Sequence, residues 1–74
     1  MIRVLLAEDQ TLLRAVLTEV LSRDAELEIV AECSRGDQVL TLAMSTSPDV
    51  AVVDIDMPGL DGLEVAELLT REMP

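Results

Sequence analysis

Ile2-Arg3-Val4-Leu5-Leu6-Ala7-Glu8-Asp9 is a short apolar run that stops abruptly at two acids. A run of this length, rich in branched side chains, suits a strand buried on both faces. Val50-Ala51-Val52-Val53-Asp54-Ile55-Asp56 repeats the device further along the chain. Between the two runs the period changes. Leu12, Leu13, Val16, Leu17, Val20 and Leu21 recur as one face of a helix, and Asp9 stands where its carboxylate could cap that helix. Leu27, Ile29, Ala31 and Cys33 then alternate with Glu28, Val30 and Glu32, the period of a strand with one wetter face.

Ser34-Arg35-Gly36-Asp37 reads as a turn, and Val39, Leu40, Ala43 and Met44 mark the apolar face of a second helix. Ser45-Thr46-Ser47-Pro48 stops it, because proline disfavours helical geometry in the residue before it. After the third strand, Met57-Pro58-Gly59-Leu60-Asp61-Gly62 is a loop, and Leu63, Val65, Ala66, Leu68, Leu69 and Met73 predict a third helix. The order β-α-β-α-β-α implies an α/β fold: a parallel sheet, right-handed crossovers and helices on its faces.

Composition narrows the chemistry. The chain has 74 residues, half of them apolar and none aromatic, which sets one domain as the upper limit. Fifteen acids stand against five arginines, for a net charge of −10, a surface that repels phosphate backbones. Direct nucleic-acid contact by this segment is therefore not expected. No run approaches a membrane span and no signal peptide is legible, so the chain reads as cytoplasmic. Cys33 is the only cysteine and histidine is absent, which leaves neither an internal disulfide nor a zinc cluster. Cys33 reads as a small buried hydrophobe, Asp61 as a turn former, and Met44 and Met57 as packing and loop-anchoring residues.

In a parallel sheet all strands point one way, so Glu8-Asp9 and Asp54 share the carboxyl edge, where ligand sites of open α/β sheets form. If the first and third strands are neighbours, the three carboxylates meet in one crevice and repel one another unless a cation joins them. Oxygen donors without sulfur or imidazole suit a hard ion, Mg²⁺ above Zn²⁺. A carboxylate beside such an ion can act as a nucleophile towards phosphorus, and Asp54, followed by a loop with two glycines, is best placed for it.

Val4-Leu5-Leu6-Ala7-Glu8-Asp9, together with Asp49-Val50-Ala51-Val52-Val53-Asp54-Ile55-Asp56-Met57-Pro58-Gly59-Leu60-Asp61-Gly62, resembles the receiver domain of bacterial two-component response regulators. The flavour is that of regulators with a LuxR-type helix-turn-helix output. The resemblance implies a flavodoxin-like fold with strand order 2-1-3 in the part present. It implies Asp54 as phosphoacceptor, Asp9 and Asp54 as Mg²⁺ ligands, Glu8 supporting the metal through water, and the Asp56 backbone carbonyl as a further contact. It also implies a sensor histidine kinase as phosphodonor, a phosphoacceptor rather than an enzyme, and a downstream DNA-binding domain in the intact protein.

A receiver has five β-α units, and residues 1–74 correspond to the first three, about three-fifths of the domain. We expect a truncation after the third unit, since the family's strand-four Ser/Thr and strand-five Lys have no counterpart here. That leaves a second reading: an interaction module impaired in phosphotransfer, which keeps the acidic site and self-associates, as a homodimer or another assembly, through the exposed edge of the third strand. A phosphatase-type hydrolase fits poorly. Those enzymes place Asp-x-Asp close after the first strand, where this chain has Glu8-Asp9-Gln10.

Overall fold

Three parallel strands form one sheet in the order β2-β1-β3, with β1 at Ile2–Ala7, β2 at Leu27–Cys33 and β3 at Val50–Val53. The helices are α1 (Thr11–Ser22), α2 (Val39–Thr46, led in by a short 3₁₀ turn at Gly36–Gln38) and α3 (Gly62–Glu72). This is a computed structural model, described over residues 1–54, 59 and 62–72. The α/β class is the one read from the sequence, and the 2-1-3 strand order is the one the family resemblance implies. Asp61 and Met57, assigned above to a turn and a loop, lie outside the described residues, as does Met73.

The connections β1-α1-β2 and β2-α2-β3 run in opposite directions across the sheet, so right-handed crossovers place α1 and α2 on opposite faces. On the face carrying α2 and α3, Leu5, Ala7, Cys33, Val39, Ala43 and Val65 form one buried cluster, with Ala31, Leu42, Ala51, Val53 and Leu69 packed around it. On the other face, Val4 and Leu6 are buried under α1. Central position explains why Val4–Ala7 are buried throughout, as expected. The edge strand β3 differs, because Val50 and Val52 remain 47% and 38% exposed.

Strand β2 departs from simple alternation. Val4 is level with Ile29 but Leu5 with Ala31, so Val30 is an extra residue in β2. An extra residue reverses which face the following side chains take. Leu27 and Ile29 therefore share the α1 face, while Ala31 and Cys33 join the core under α2. The single wetter face read from the sequence is in fact two half-faces.

The helices are rotated from their predicted seats. In α1 the half-buried stripe is Arg14, Leu17, Thr18 and Leu21, whereas Leu12, Leu13, Val16 and Val20 are exposed. The inner stripe lies roughly a quarter turn from the centre of the predicted apolar band, given 3.6 residues per turn. Its two polar members are matched: Arg14 Nη1 donates to the Glu8 carbonyl (2.8 Å), and Thr18 Oγ1 donates to Glu32 Oε1 (2.9 Å). In α2, Met44 is exposed and Leu42 packs inward with Val39 and Ala43. Residues 39, 42 and 43 make the tighter i, i+3, i+4 stripe. In α3, Leu63 and Ala66 are exposed while Val65 is buried.

The end of α2 falls where Pro48 predicts. Ser47 closes it in the left-handed conformation (φ 50°, ψ 60°), and its N–H donates to the Ala43 carbonyl (2.8 Å). The expected Asp9 cap on α1 is absent. Gln10 precedes the helix and no side chain caps it, because the nearby carboxylate that accepts a backbone N–H is that of Glu8.

Candidate functional site

The parallel ladder delivers the acids to one edge. Past the last residue of β1, the Glu8 N–H donates to the Cys33 carbonyl (3.0 Å), and past β3 the Asp54 N–H donates to the Ala7 carbonyl (3.0 Å). Each bond extends sheet pairing by one step, so the Glu8 and Asp54 backbones leave the sheet side by side. Strand β1 feeds β2 on one side and has β3 on the other, which makes this carboxyl edge the point where strand order reverses.

One carboxylate oxygen from each of Glu8, Asp9 and Asp54 lies within 4.8 Å of the other two. Glu8 is 4% exposed, Asp54 is half-buried, and the Gln10 N–H donates to Glu8 Oε2 (3.1 Å). That N–H bond favours the charged form of Glu8. Burial, the Asp9 carboxyl and the charge of Asp54 act against it and leave the Glu8 carboxyl above its usual range. A cation placed beside the three carboxylates would offset their repulsion and favour the charged form of Glu8. The donor set is all oxygen, which fits a hard divalent cation. Mg²⁺ takes oxygen donors at about 2.1 Å and keeps several waters, so three carboxylate oxygens gathered this closely are within reach of one such ion.

Asp56, assigned above a carbonyl contact, lies outside the described residues. Glu8, Asp9 and Asp54 are brought together. Sequence reasoning missed Arg14, which reaches from the inner stripe of α1 to the Glu8 carbonyl. Its positive charge also acts on the Cys33 thiol. Burial pushes that thiol up, while the Arg35 backbone N–H and the Arg14 charge partly offset the rise. Gly59, in the segment after Asp54, has φ +89°, and a Cβ there would stand 2.8 Å from Asp37 Cγ. Asp37 is itself held by Arg35 through two bonds of 3.0 and 3.1 Å.

Among the described residues no helix is long and apolar enough to cross a membrane. The transcriptional regulatory protein LiaR of Bacillus subtilis is 38% identical over 73 residues, covering 99% of this chain and 35% of LiaR. The response regulator domain of Thermotoga maritima CheB superposes with a TM-score of 0.95 at 31% identity, covering all of this chain and 55% of that structure. A DNA-binding response regulator of the LuxR family from Staphylococcus aureus gives 0.91 at 30% identity, over 97% of this chain and 60% of that one. The chain spans between a fifth and about a third of the length of the curated relatives it matches. The family model described as the response regulator receiver domain matches residues 4–74, and the chain belongs to that family.

Proposed function

We propose that this chain is a phosphoacceptor signalling module in which Asp54 takes a phosphoryl group from a sensor histidine kinase. The observation that carries the reading is the convergence of Glu8, Asp9 and Asp54 at the carboxyl edge of the sheet. An Asp54 carboxylate oxygen forms the new bond to phosphorus. The bond from phosphorus to the donor imidazole nitrogen breaks, and its electron pair leaves with that nitrogen. Asp9 and Asp54, with Glu8 through water and the Asp56 carbonyl, would hold Mg²⁺. When bound, Mg²⁺ neutralises charge on the transferred group. The chain's own part is to place the carboxylates, and Asp54 is a stoichiometric acceptor rather than a turnover catalyst. The LuxR-family likeness supports transcriptional output through a DNA-binding domain elsewhere in the intact protein, with the module working in the cytoplasm as the first three β-α units of one receiver.

Intact mass after incubation with Mg²⁺ and a small acyl phosphate tests this, with Asp54→Asn alongside. A phosphoryl adduct on the parent and none on the variant is expected. An adduct on both would move the acceptor elsewhere.

A second reading, self-association without phosphotransfer, is favoured by one specific observation. Strand β3 is an edge with Val50 and Val52 exposed, and such edges seek pairing. Mass measured across a concentration series decides it, because a monomer throughout would end the idea.

A further inference from the structure

We infer that Arg14 is a positioning residue of the acidic site, holding the Glu8–Gln10 turn in the form from which Glu8 and Asp9 can reach a cation. The inference rests on the Mg²⁺ reading above. The turn that carries both acids is tied at several points. The Glu8 N–H is bonded to Cys33, the Gln10 N–H to the Glu8 carboxylate, and the Gln10 carbonyl accepts from the Arg14 N–H (2.8 Å). The Arg14 guanidinium supplies the bond to the Glu8 carbonyl, reaching back six residues from the half-buried stripe of α1. Without it, that carbonyl loses the side chain that ties it to α1, and the peptide carrying the Asp9 N–H is free to rotate.

Simple charge cannot stand in for this role, because the two effects have opposite signs. A cation beside a cation site repels the incoming ion, so removing Arg14 as a mere charge would tighten Mg²⁺ binding. Removing it as a clamp would weaken binding, since groups that orient metal ligands typically matter by one to two powers of ten in affinity.

The test follows backbone amide resonances of the 74-residue chain during Mg²⁺ titration, together with amide exchange in the metal-free protein, for the parent, Arg14→Lys, Arg14→Gln and Arg14→Ala. Arg14→Ala is expected to weaken Mg²⁺ roughly tenfold and to speed Gln10 exchange, with the Leu5 and Leu6 amides still protected. Arg14→Lys, which keeps a charged donor, should recover most of the affinity. Unchanged or tighter Mg²⁺ binding in Arg14→Ala and Arg14→Gln, with the sheet protected, overturns the inference. If the parent itself shows no response to Mg²⁺, the metal reading falls separately, and Gln10 exchange alone decides whether Arg14 clamps the turn. Should Arg14→Ala not fold, the Lys and Gln variants carry the same comparison.

Discussion

The two faces of the sheet are built from similar sequence and finished differently. Leu5 and Leu6 are neighbours in β1 and both are fully buried, yet they point to opposite sides. Leu5 enters a cluster gripped by α2, α3 and β2 together. Leu6 lies under α1, a helix with no fully buried residue and an exposed apolar flank at Leu12, Leu13, Val16 and Val20. Apolar periodicity thus records which surface is able to be covered, while burial depends on how many elements converge on it.

The sharpest test of that difference is truncation of the adjacent leucines. Leu5→Ala is expected to cost about 4 kcal/mol and Leu6→Ala about 2 kcal/mol in urea unfolding, because α1 has fewer anchors and can settle into the space. Equal losses would mean that both faces are equally rigid. Gly59→Ala should weaken the α2 side by about 1–2 kcal/mol, since φ +89° penalises any Cβ and Asp37 already fills the space. Restored stability in the double variant Gly59→Ala with Asp37→Ala would leave backbone conformation a minor part of that loss.

Glu8 stands just past the end of β1, at the carboxyl edge of the sheet. In the folded chain its carboxyl lies above the ordinary value of 4.5, so the folded state holds that proton more tightly than the unfolded chain does. Its contribution to stability is present in full below 4.5 and is lost as pH rises through the folded value. Metal-free Glu8→Gln, which can still accept the Gln10 N–H, should therefore be more stable than the parent at neutral pH, with the gap closing on acidification. A gap that widens in acid would contradict this. Ser47→Gly should add about 0.5–1 kcal/mol by relieving the left-handed close of α2. Smallest of all, Leu12→Ala on the open flank, 80% exposed, should change stability by less than about 0.5 kcal/mol.

Much of this molecule is legible in its sequence. The switch from strand to helix period placed all three strands, and the acids at strand ends placed the site, because a parallel sheet has only one carboxyl edge. What escaped was rotation and register. Leu40, Leu42 and Met44 are all apolar, so α2 offers more than one face and only packing selects Leu42 over Met44. Arg14, between Leu13 and Ala15, is no part of the apolar pattern, and its inward seat is visible only in the bond it donates to the Glu8 carbonyl past the end of β1. Val30 is as apolar as its neighbours, so nothing in composition marks it as the extra residue of β2.

That extra residue bears on how far the sheet could grow. Its two outer edges are unlike: β3 is regular, while β2 is interrupted at Val30 and carries the exposed Glu28 and Glu32. Bulges and charges make poor templates for a further strand. Pairing of two copies through β3 would leave a blocked β2 edge at each end of the six-stranded product, so such an assembly would close at two chains rather than propagate as a filament.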